Sequence, residues 1–93
     1  MKIDKFDNIW DAIEDSAAEA ANMKARAVLM LAIRKQVESW KITQTEAAEK
    51  LGVTQPRMND LLRGRIDKFS LDALALLASA AGLAVEVQVR PAA

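Results

Sequence analysis

A chain of 93 residues has room for one domain, and a domain this small buries only about 60–65% of its unfolded surface, so it is marginally stable without help. The absence of cysteine and histidine excludes disulfides and the usual structural zinc sites, and leaves association with a second subunit as the expected aid. No apolar run approaches the ~20 residues of a membrane span, and the start Met1-Lys2-Ile3-Asp4-Lys5 lacks the apolar core of a signal peptide, so a soluble, cytoplasmic protein is expected.

The formal charge is zero, but it is unevenly spread. Residues 1–22 hold two lysines and six acids, a net of −4. Residues 23–40 carry +3, residues 41–69 carry +2 and residues 70–93 carry −1. An acidic arm thus joins a basic centre, and local charge decides where phosphates can dock. Ordinary solvated mixed charge is the plain alternative.

In chain order, Phe6, Ile9, Trp10 and Ile13 follow the spacing of one helical face and predict a short helix over 6–15. It packs either on the domain's own core or on a second subunit or partner. Ser16-Ala17-Ala18-Glu19 reads as a capping box opening a long helix to about Trp40. Leu29, Ile33, Val37 and Trp40 form its buried stripe, widened by Val28 and Ala32, while Lys24, Arg26, Arg34 and Lys35 lie mostly off it.

Thr43-Gln44-Thr45-Glu46 is a second capping box, opening a helix to about Leu51 that Gly52 ends. Thr54 caps the next helix, Pro56 sits in its first turn where a missing N–H costs nothing, and Gly64 closes it. Ile66 to Phe69 reads as a turn with two buried side chains. Ser70 caps a last helix whose stripe is Leu71, Leu74, Leu77, Ala78 and Ala81, and Gly82 stops it. Leu83, Val85, Val87 and Val89 then alternate with Ala84, Glu86, Gln88 and Arg90, the pattern of a half-buried strand ended by Pro91. A lone strand leaves its backbone groups unpaired, so pairing with the same strand of a two-fold mate is the economical expectation; a packed tail, or an edge taken by a partner, is the alternative.

The informative unit is 43–64. Two short helices joined by a glycine-containing turn define a helix-turn-helix, and their close crossing needs a small residue, which Ala48 supplies. Leu51, Val53, Met58 and Leu61 are spaced to fill the wedge. Gln55, Arg57, Asn59, Asp60 and Arg63 form the outer face of the second helix, 54–63, which would enter the major groove. Arg reads guanine edges and Gln or Asn reads adenine edges; Asp60 is expected to orient Arg57 or Arg63. Arg65 and Lys68 extend the basic surface. The plain alternative is a helical hairpin that only packs.

The run from Thr43-Gln44 through Gly52, and from Val53-Thr54-Gln55-Pro56 through Leu61-Leu62-Arg63-Gly64, resembles the Cro/C1-type, or XRE-family, helix-turn-helix regulators. Together with Trp10-Asp11-Ala12-Ile13, the stretch from Arg65 to Leu74 and the terminal strand, it is similar to short antitoxins of HigA-like type. The resemblance implies an all-α, five-helix domain at 16–82, preceded by a helical arm at 1–15 and followed by a dimerising β-strand and tail at 83–93. It also implies a homodimer on a palindromic operator of double-stranded DNA, repression of its own operon, and a RelE-like toxin as partner. By position Gln44 and Gln55 match DNA-contacting glutamines, and Thr43 and Thr54 match capping positions whose N–H groups meet phosphates. Pro56 departs from the usual polar residue and can only touch a thymine methyl. The expected interface is therefore Thr43, Gln44, Thr54, Gln55, Pro56, Arg57, Asn59, Arg63, Arg65 and Lys68, with Leu83, Val85, Val87 and Val89 joining two copies.

Catalysis finds no support. There is no His, Cys or Tyr, the acids Asp4, Asp7, Asp11, Glu14 and Asp15 form an arm rather than a paired site, and Ser16 and Ser70 read as caps. No Gly-rich phosphate loop, metal site or cofactor site is expected. An adaptor whose helix-turn-helix contacts protein instead of DNA is the rival function.

Overall fold

The computed structural model describes the backbone of residues 7–92 and the side chains of residues 16–92. Four α-helices and one 3₁₀ turn appear there: α1 (Asp7–Trp40), α2 (Gln44–Leu51), α3 (Gln55–Leu62), the turn Ile66–Lys68, and α4 (Leu71–Ala80). The architecture is all-helical, as expected, but the described residues contain four helices and not five. The side chains of Ile9, Trp10 and Ile13, and all of Phe6, lie outside the described residues.

The short helix expected before Ser16 is not separate from the next one, because α1 does not break. Its backbone is continuous for 34 residues, so the expected cap at Ser16 lies inside the helix. No glycine or proline interrupts α1, and the alanine-rich stretch around residue 18 favours continuation.

The core is one cluster. Met30, Ile33 and Val37 of α1, Ala47, Ala48 and Leu51 of α2, Met58 and Leu61 of α3, Phe69, and Leu74, Leu77 and Ala78 of α4 are all buried. Leu29, Trp40, Val53, Leu62 and Ile66 pack against it from half-buried positions. The expected stripe of α1 holds at Ile33 and Val37, which are buried, and at Leu29 and Trp40, which are half-buried against the core; Met30 joins it, and Val28, expected to widen it, is exposed. The Lys50 ammonium covers the Trp40 ring, 4.9 Å from its centroid.

Local chemistry sets the helix ends. Thr43 accepts from the Glu46 N–H at 3.1 Å, and Glu46 accepts in return from the Thr43 N–H at 2.9 Å, completing the reciprocal box at α2. Thr43→Ala is expected to lower stability by about 1 kcal/mol, read as a lower urea midpoint with an unchanged m-value. At the other end Gly52, with φ 75°, donates to Glu49, while Val53 donates back to Ala48 at 2.9 Å. Only a left-handed residue closes a helix this way, and glycine does so without a Cβ penalty. The end of α4 repeats the arrangement, with Gly82 bonded to Ser79 and Leu83 bonded to Ala78 at 2.9 Å.

That last bond corrects the carboxyl-terminal expectation. Leu83, expected in a dimer interface, is folded back against the core by the glycine-closed helix end. The β-strand expected over 83–89 does not form among the described residues: 83–92 lack regular secondary structure. Strand geometry is maintained by a ladder, and the described residues offer no second strand to build one. Val85, Val87 and Val89 stay exposed, at 42%, 79% and 89%.

Candidate nucleic-acid interface

α2 and α3 meet as a helix-turn-helix. Gly52, Val53 and Thr54 form the short connection, and buried Ala48 permits the close approach. α3 is held to the core by Met58 and Leu61, both almost fully buried. Its amino-terminal turn therefore faces outward, with Thr54, Gln55 and Pro56 exposed. Thr54 caps the helix by accepting from the Arg57 N–H at 3.3 Å, and Pro56 occupies the first turn without losing an intrahelical bond.

The exposed starts of the two helices are tied together. The Gln55 Nε2 donates to the Thr45 Oγ1 at 2.5 Å. Gln44, the first residue of α2, is exposed nearby in sequence, as is Thr43. Thr45 was not among the expected site residues; its place one residue after Gln44 in the capping box was the available signal. With one N–H engaged, Gln55 keeps its carbonyl oxygen and second N–H without an intramolecular partner among the described residues, the donor–acceptor pair that an adenine edge requires.

The arginines divide into two sets. Arg57 folds back over the domain: its guanidinium lies 4.0 Å from the centre of the Phe69 ring, and Nη1 donates to the Lys68 carbonyl at 2.8 Å. Arg26 reaches the same turn from α1, donating through Nη1 to the carbonyls of Ile66 at 2.9 Å and Phe69 at 3.3 Å, while Asn22 holds its Nε at 2.7 Å. Arg34 is half-buried beside Gly64; a Cβ there would meet its Nη1 at 3.2 Å. The expectation that Arg26 and Arg34 lie off the packed face of α1 is thus corrected. Their positions four residues before Met30 and one after Ile33 were the signal.

Arg63, Arg65 and Lys68 are exposed on and after the end of α3. Asp60, expected to orient Arg57 or Arg63, instead approaches the Arg65 Nε at 3.9 Å, which at these exposures is a loose surface pair. Asn59 is half-buried. The turn at 66–69 accepts from Arg26 at Ile66 and Phe69 and from Arg57 at Lys68, while the Lys68 side chain is exposed.

No group of acidic, cysteine or histidine side chains among the described residues could hold a metal ion. None of the described helices is long and apolar enough to cross a membrane. No curated protein matches the chain. A family model described as a helix-turn-helix domain matches residues 12–90, spanning both helices of the motif, the turn after them and α4. With that match over most of its length and the motif's geometry at 44–62, the chain belongs to this helix-turn-helix domain family.

Proposed function

We propose that the protein is a sequence-specific transcriptional regulator that binds double-stranded DNA as a two-fold dimer, with α3 in the major groove. The observation that carries this reading is the Gln55–Thr45 hydrogen bond, which orders the exposed starts of α2 and α3 as one surface. Gln44 and Gln55 read base edges, and Pro56 meets a thymine methyl. The backbone N–H groups of Gln44, Thr45 and Gln55, just inside the Thr43 and Thr54 caps and without a backbone partner among the described residues, face phosphates together with Arg63, Arg65 and Lys68. Asn59, half-buried, lies at the margin of this surface. The action is occupancy in the cytoplasm: a dimer on a palindromic operator blocks transcription of its own operon, with no catalytic step and no cofactor.

In this reading Arg57 is a positioning residue. Its stacking on Phe69 and bond to Lys68 hold the turn that presents Arg65 and Lys68. Arg57→Ala is expected to cost about 1–2 kcal/mol of stability and to weaken operator and random DNA by the same factor. Parallel anisotropy titrations check this; selective loss on the operator would instead make Arg57 a base reader.

The test of the whole reading is a gel shift on the DNA upstream of the gene, started at ~50 mM salt and repeated as salt is raised. The logarithm of affinity should fall linearly with the logarithm of salt, by about 0.9 per phosphate neutralised. Absence of binding at the low-salt end overturns it.

A second reading, an antitoxin that also holds a RelE-like toxin, is supported by α1. Residues 16–24 are all exposed, and residues 1–22 carry a net −4, suited to a basic partner. Co-purification with the product of a neighbouring gene tests it; an adaptor that contacts only protein would do this and fail the gel shift.

A further inference from the structure

The segment after Leu83 carries three exposed valines, Val85, Val87 and Val89, and no backbone hydrogen bond involves residues 84–92 among the described residues. It borders an open groove of about 500 Å³ whose walls include Ala25, Val28, Leu29, Ala75, Val85 and Val87. We infer that this segment pairs antiparallel with the same segment of a second copy in one register, with the two-fold axis at Gln88 and Glu86 opposite Arg90 of the mate. The inference rests on the dimeric reading above and specifies its contact.

Charge selects the register. Directly opposed residues of an antiparallel pair share a face, and opposite charges there attract while like charges repel. An axis at Gln88 sets each Glu86 against an Arg90, twice per dimer. An axis at Val87 sets Glu86 against Gln88 and Arg90 against Ala84. An axis at Glu86 opposes two carboxylates, and one at Arg90 opposes two guanidiniums. No other axis within the segment pairs opposite charges.

The apolar face agrees. The axis at Gln88 brings together Val87 and Val89, the two most exposed valines of the chain, at 79% and 89%. Val85, already lining the groove and only 42% exposed, falls opposite Pro91 at the margin. A second copy fits better than an unrelated strand because the segment is complementary to itself in sign and in face.

The test uses Glu86→Arg and Arg90→Glu, both at exposed positions, in the full chain. Each variant alone opposes like charges at two places, and its dimer should dissociate at roughly tenfold higher concentration than the parent's in sedimentation. Mixed, the two variants restore both attractions, so native mass spectrometry should show mostly heterodimer. A parent that sediments as a monomer overturns the dimeric reading and this inference together. A dimeric parent whose variants self-associate normally and mix statistically overturns the register and leaves the dimer standing. Unchanged far-ultraviolet dichroism verifies that the variants are folded.

Discussion

Leu61→Ala is expected to lower folding stability by about 2–5 kcal/mol and the melting temperature by about 10 °C or more. The reason lies in how few residues attach α3. Of its eight residues only Met58 and Leu61 are buried, and both are among the largest fully buried side chains of the described residues. Truncating Leu61 removes its transfer free energy and leaves a void between α3 and the helices around it, which the small bundle can close only in part. A domain of this size has a total stability near the low end of about 5–15 kcal/mol, so the loss is a large share of the whole. Thermal and urea unfolding followed by helical dichroism measure it. Leu31→Ala, at a 51% exposed site on α1, is the control and should change stability by less than about 0.5 kcal/mol. Equal melting of the two variants would mean that α3 is not seated as described.

The same contrast between local and distant causes explains which features the residues announced. The helix-turn-helix was legible because its decisive interactions are short. The Thr43–Glu46 box spans four residues, and the Gly52 closure joins Ala48 to Val53. The chemistry at each end is determined by side chains within one turn. The opening box at Ser16 fails for a related reason: a serine followed three residues later by glutamate also fits inside a helix, and nothing in 7–40 forces a break.

The arginines were harder to read because their partners are carbonyls far along the chain. Arg26 meets turn carbonyls 40 and 43 residues away, and its residue type alone says only that it carries charge. Two bases counted toward the basic centre, Arg26 and Arg57, are engaged in holding the 66–69 turn. The cationic surface proposed to meet phosphate is correspondingly narrower, and rests on the exposed Arg63, Arg65 and Lys68. The alternating valines after Leu83 were legible as a pattern, but an alternating pattern states which face is apolar and not which edge will pair. Leu83 departs from that pattern because the end of α4 uses it first.

Gln55→Ala should weaken binding to the preferred DNA sequence by about 1–3 kcal/mol, or roughly 5–150-fold, with little change on random DNA. The preferred sequence can be obtained by selection from a random pool with the parent protein. Thr45 anchors one amide N–H of Gln55, so the glutamine approaches DNA already oriented and loses less rotamer freedom on binding. Its remaining N–H and carbonyl can engage one adenine, and alanine removes both contacts while leaving the Thr54 cap in place. Thr45→Ala should therefore reproduce part of the loss on the selected sequence, and the double variant should lose less than the sum of the two single losses, because the residues act as one unit. The salt dependence should be unchanged in all three variants, since no phosphate contact is removed. Equal weakening on selected and random DNA would move Gln55 from the base edges to the backbone, and additive losses would separate it from Thr45.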